Sequence, residues 1–402
     1  MARTGTSARR DQIHYTNLAC ALALLTGAAI AGSTPACAGT YKSLYAFKAY
    51  GNGCGPSAGL TQVGDRLYGT TRACKETFFS FNPGENREKT RYRFGGSEPV
   101  ATMVNVGGTL YGITIEGGAN AWGDVYAVQP ETGAERTVYS FHGGADGYFP
   151  EASLLNVGGT LYGTTVGGGT HAQGEVFAVN PGTGTKQVVY SFMGGTTDGT
   201  SPQSGLINVN GTLYGTTASG GPHGAGTVYA VDPSTGTEKI VYFFTGGSDG
   251  GAPYAGLINV AGTLYGANTL GGNGTCVISC GTVFAIDLAT GTETVVHSFQ
   301  GGNDGALPFA SLLNVGSILY GTTEYGGTAC LVNEGCGTVY SINLQTGTEQ
   351  VLYAFKSRAD GANPWAPLID VGGTLYGTTF AGGIVNRRYC YDGCGTIFSY
   401  TP

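Results

Sequence analysis

The chain is short of the residues that usually carry chemistry. Its 402 residues include 5 histidines, 2 tryptophans and 3 methionines, and only 11% are charged. It contains no His-Glu-x-x-His zinc motif and no phosphate-binding loop. Long apolar runs are missing beyond Leu18–Ala31, which is too short to span a bilayer comfortably. No anchor precedes the final Thr401-Pro402, so no membrane span is expected once a leader is removed. One residue is in excess instead. There are 73 glycines, about 18% of the chain against roughly 7% in average proteins. Glycine costs backbone entropy inside helices and strands, so a mainly helical protein is excluded. Glycine does not recur at every third position, which excludes collagen. Simple disorder is excluded too, because 41% of residues are hydrophobic.

The first 38 residues read as a signal peptide. Arg3, Arg9 and Arg10 give a positive start, the apolar run follows, and Ala36-Cys37-Ala38 supplies the small residues of a cleavage site. Asp11-Gln12-Ile13 fit twin-arginine export badly, and Thr34-Pro35-Ala36 is a weak lipoprotein context for Cys37. Ordinary secretion to the periplasm or the outside is therefore expected, with residues 39–402 as a single mature domain. The whole chain has 19 basic and 26 acidic residues; cleavage removes three arginines and Asp11, leaving a net charge near −9. That balance argues against nucleic acid or an anionic membrane surface as partner.

Self-similarity dominates what remains. Leu-Tyr-Gly occurs seven times, with tyrosines at Tyr68, Tyr111, Tyr162, Tyr214, Tyr265, Tyr320 and Tyr376. Residues 253–299 show the plan: an apolar run (254–260), a glycine turn, a second run (263–268), a glycine-rich loop, a third (282–287), a Thr-Gly hairpin and a fourth (293–299). Each run is about six residues, β-branched and aromatic, and bounded by turn chemistry. This predicts four antiparallel strands per repeat, a to d, and hence an all-β, seven-bladed propeller. Residues 41–47 match a strand d, while the last repeat stops after strand c at 396–400. The N-terminal strand is expected to complete the last blade and close the ring. An open solenoid would want polar caps instead.

Leu-Tyr-Gly-Thr-Thr, Gly-Gly, Gly-Thr-Val-Phe, Thr-Gly, Tyr-Ser-Phe-x-Gly-Gly and Asp-Gly before proline resemble the GloVer (choice-of-anchor) tandem-repeat family of exported bacterial proteins. The resemblance covers the mature chain and implies secretion or surface attachment but no reaction. A looser likeness extends to kelch and quinoprotein propellers.

Eight cysteines follow residue 38: Cys54, Cys74, Cys276, Cys280, Cys330, Cys336, Cys390 and Cys394. An even count in an exported protein reads as disulfides. Three close pairs lie in b–c loops, and Cys54 and Cys74 lie in loops of one face, where a bridge is sensible. The alternative, a metal site, lacks histidines at zinc spacing.

The residue after each d–a proline varies from blade to blade: Ser57, Val100, Glu151, Gln203, Tyr254, Phe309 and Trp365. Aromatics at Tyr254, Phe309 and Trp365 beside polar Glu151 and Gln203 suit a sugar ring, with its apolar face and hydroxyl rim. Filling space between blades is the plainer account of the same aromatics. Asp146, Asp198, Asp249, Asp304 and Asp360 recur in the d–a loops; Asp-Gly is good turn chemistry, and a ring of carboxylates could bind calcium. No other cofactor is expected. His142, His171 and His223 near Glu151 make a further metal or acid–base candidate. The leading expectation is a monomeric binding or interaction module for a glycan or surface protein. The alternatives are an extracytoplasmic enzyme, such as a polysaccharide lyase or hydrolase, and a structural cell-surface protein.

Overall fold

The computed structural model describes residues 39–49, 51–276, 279–327 and 336–402. The signal-peptide reading of residues 1–38 lies outside the described residues. Seven four-stranded antiparallel sheets follow one another along the chain. Blade 5 is typical, with strands Ile258–Val260, Thr263–Asn268, Thr282–Asp287 and Glu293–Ser298 paired in order. No α-helix occurs among the described residues; three 3₁₀ turns sit in d–a loops, at Gly144–Asp146, Gly302–Asp304 and Arg358–Asp360. The fold is a seven-bladed β-propeller.

The innermost strand is shorter than expected. Residues 254–257 carry no ladder, and strand a is only three residues long. Near the ring axis the blades converge, and backbone groups there turn to the neighbouring blade. Gly256 N donates to Ser311 Oγ at 2.9 Å, and Gly59 N to Thr102 Oγ1 at 2.9 Å. Cross-blade bonds satisfy donors that a longer ladder would otherwise have taken.

The ring closes as the repeat phase requires. Thr40–Ala46 pairs antiparallel with Thr396–Thr401, with Thr40 opposite Thr401 and Ala46 opposite Thr396. The last blade is therefore built from both ends of the described chain. An unpaired strand edge invites association, and this pairing covers the edge of Thr396–Thr401.

The core is divided among the seams between blades rather than gathered at a centre. Each Leu-Tyr-Gly serves two seams at once, because successive strand residues face opposite sides of the sheet. Leu264 packs with Phe284 and Leu257 on the blade 4 side, while Tyr265 packs with Leu312 and Tyr340 on the blade 6 side. Leu319 and Tyr320 divide likewise one blade further on. Each such leucine is fully or almost fully buried, which contributes about 1.5–3 kcal/mol apiece. The d–a and b–c loops pair with each other on one face, through bridges such as Tyr148 with Gly167, Ala306 with Tyr325 and Ala362 with Ala381. That shared face positions every candidate site.

Candidate functional site

The seven residues after the d–a prolines are all half-buried, neither sealed between blades nor fully exposed. Tyr254 and Phe309 touch, with ring centroids 5.5 Å apart. Gln203 donates to Glu151 at 2.8 Å. Burial pushes the Glu151 carboxyl up, while that hydrogen bond and the charge of Arg72 pull it down. Trp365 takes a different partner. It stacks on Phe380 from the b–c loop of its own blade, centroids 4.1 Å apart and planes 20° from parallel.

That stack forms one wall of a cavity of about 580 Å³ between blades 6, 7 and 1. Tyr389 and Tyr391 of the same b–c loop stand beside it, and Tyr391 is 77% exposed. Lys356, Arg358 and Asp392 bring charge to the rim. The indole N–H of Trp365 has no accessible surface and no hydrogen-bond partner, a donor the protein leaves unused. The position of Trp365 was legible from the sequence, but Phe380, Tyr389 and Tyr391 were missed. Their signal was the loop after Thr379, which carries two arginines, two tyrosines and a cysteine pair where other blades have mostly glycine.

Cys54, Cys336 and Cys390 line the cavity. Cys54–Cys74, Cys276–Cys280 and Cys390–Cys394 are bonded, and Cys336 is disulfide-bonded as well; Cys330 lies outside the described residues. Sulfurs of Cys54, Cys74 and Cys390 lie within 4.8 Å of one another, so two bridges meet where the ring closes. Disulfides of this density fit an oxidising, extracytoplasmic compartment.

The other candidates sit elsewhere. His142 pairs with Asp146 at 3.0 Å and is largely exposed. His171 and His223 are exposed on b–c loops. With Glu151 they form no group of metal-ligand atoms among the described residues. Each d–a aspartate is held locally: Asp146, Asp198, Asp249, Asp304 and Asp360 accept from backbone N–H groups of His142, Met193, Thr245, Gln300 and Lys356, at 2.6 to 2.8 Å. Four of them also accept from a strand-d tyrosine, and Asp304 meets His297 instead. Two segments carry the Gly-x-Ser-x-Gly spacing, Gly55–Gly59 and Gly246–Gly250. Neither follows a strand and opens a helix, the setting a nucleophile elbow needs.

A disulfide-braced propeller with an aromatic cavity on its loop face is the class of protein that these features define. The chain belongs to the Gloeobacter/Verrucomicrobia repeat family, whose profile matches residues 73–278 and 273–402. No curated protein matches it in sequence. Among solved structures it is similar to the extracellular domain of a hybrid two component system from B. thetaiotaomicron, at 12% identity and a TM-score of 0.57 over 90% of this chain and 39% of that one. It is similar to an oligogalacturonate lyase from Vibrio parahaemolyticus, at 10% identity and a TM-score of 0.50 over 90% and 96% of the two chains. A computationally designed protein, Ika8, matches at 12% identity and a TM-score of 0.50, over 88% and 98%. At these identities the likeness is one of fold. No helix among the described residues is long and apolar enough to cross a membrane.

Proposed function

We propose that this exported propeller is a glycan-binding module that takes its ligand in the Trp365 cavity. One observation carries the reading: the Trp365–Phe380 stack, flanked by Tyr389 and Tyr391, walls a cavity large enough for one or two sugar rings. The apolar face of a pyranose packs on such a stack, and its hydroxyls meet Lys356, Arg358 and Asp392 at the rim. Disulfides beneath the cavity hold its walls in place, which lowers the ordering cost of binding.

The test is a glycan array followed by thermal shift on the exported protein. Glycans that bind are expected to raise Tm, and Trp365→Ala is expected to weaken binding at least about tenfold, equivalent to about 1.4 kcal/mol. Unchanged affinity in Trp365→Ala contradicts the proposal. A lyase or hydrolase reading would rest on Glu151 of blade 3, whose carboxyl is pushed up by burial. Release of shortened products from a bound polysaccharide, lost in Glu151→Gln, would favour it.

A further inference from the structure

Polar rungs near the outer strands bridge four successive seams, and one of them carries a histidine. At the seam of blades 2 and 3, Tyr139 and Asp146 of blade 2 face Lys186, the first residue of strand d in blade 3. At the next two seams a glutamate stands in place of that lysine: Glu238 faces Tyr190 and Asp198, and Glu293 faces Tyr242 and Asp249. At the seam of blades 5 and 6 the tyrosine is also replaced. His297, Asp304 and Glu349 meet there, with ligand atoms all within 4.8 Å of one another.

We propose that His297, Asp304 and Glu349 form a binding site for a divalent metal ion of the zinc class. Three observations carry it. First, His297 Nε2 lies 3.3 Å from Asp304 Oδ2. Two ligands held at 2.0–2.1 Å by a tetrahedral zinc are about 3.3 Å apart, so the pair needs little movement. The backbone N–H of Gln300 fixes the Asp304 carboxylate at 2.6 Å, the kind of orienting bond that metal carboxylates receive. Secondly, Glu349 Oε1 has no accessible surface and no hydrogen-bond partner, and it sits in a cluster already holding a second carboxylate. A cation held between the two carboxylates and the imidazole would complement both negative groups.

Thirdly, the equivalent rung between blades 2 and 3 already holds a cation. Lys186 Nζ lies 3.1 Å from Asp146 Oδ1 and 2.5 Å from Glu175 Oε1, with its side chain 2% exposed. The seam geometry therefore accepts a positive charge beside this aspartate. Where the lysine becomes glutamate and the tyrosine becomes histidine, a bound ion can take the place of the lysine charge. A phenol donates a proton, whereas a neutral imidazole offers a lone pair. The two tyrosine-bearing acidic seams accordingly lack the nitrogen ligand. One imidazole with two carboxylates suits zinc; calcium would want six to eight oxygens. The His297 and Asp304 side chains are about one-fifth exposed, which leaves a path for the ion and room for water as a further ligand.

The test is zinc titration of EDTA-treated, purified protein by calorimetry and thermal shift, with calcium run alongside. The wild-type protein is expected to take up one equivalent of zinc and to gain Tm. His297→Tyr restores the residue found at other seams, so it is expected to fold. It should lose at least about 100-fold in zinc affinity together with the Tm gain. Glu349→Gln is a second arm, with the same expected loss. Absence of zinc uptake by the wild-type protein overturns the site, as does unchanged uptake in a folded His297→Tyr variant. Stabilisation by calcium alone overturns it too.

Discussion

The glycine of each Leu-Tyr-Gly is required by a ring rather than by a turn. Gly266 pairs across the sheet with Phe284. A Cβ at Gly266 would stand 2.4 Å from Phe284 Cζ. The ring cannot swing aside, because it is fully buried and packed edge-to-face on Phe244 at 4.9 Å. Gly266→Ala is therefore expected to cost about 1–3 kcal/mol through overpacking, read as a lower urea midpoint at unchanged m. The recurrence of this glycine was plain in the sequence; its cause was not, since the ring belongs to the next strand. Trp365 was legible in the same limited way. Variation after the d–a prolines marked it, but Phe380 stands on another loop, and only the fold brings the two together.

At the scale of the strand, the first residue of strand d decides how a seam behaves. Glu238 and Glu293 reach into seams that also hold Asp198 and Asp249. Burial, helped by the neighbouring aspartate, pushes both carboxyls up from 4.5 to about 7. A carboxyl with a raised native pKa binds its proton in the folded state before it does so in the unfolded chain. Stability is then greatest below about 4.5 and is lost as pH rises towards 7, the reverse of a salt-bridged carboxylate. These two groups are expected to make Tm higher at pH 5.5 than at pH 8. The double variant Glu238→Gln, Glu293→Gln should flatten that dependence and raise Tm at pH 8. An equal pH slope in the variant would assign the effect elsewhere. The sequence showed the d–a aspartates as turn residues, and the backbone bonds from Thr245 and Gln300 agree. It hid the glutamates, because each meets its aspartate across a blade boundary some 40 residues away.

For the molecule as a whole, the periodicity of the repeat made the architecture legible, and the phase of its ends made the closure legible. The strand Thr40–Ala46 is the outer strand of blade 7, and Phe47 just after it packs on Phe79 of blade 1, ring centroids 5.2 Å apart. Removing residues 40–47 should leave Thr396–Thr401 as an open edge and the blade 1 seam uncovered. The truncated protein is expected to elute as aggregate in size-exclusion chromatography, and the intact protein as one sharp peak. A well-behaved truncated protein with unchanged Tm would contradict closure by this strand. The candidate site was less legible than the ring, because it depends on loops that break the repeat. The two tryptophans allow that face to be read directly. Trp122 lies on another blade, packed on Tyr148 and Phe149, so Trp122→Phe leaves Trp365 as the single indole. Fluorescence titration of this variant with a glycan that binds the wild-type protein is the most direct measurement. A saturable change in Trp365 emission, at the concentration where calorimetry shows binding, is the predicted result; binding by calorimetry with unchanged emission would contradict the account.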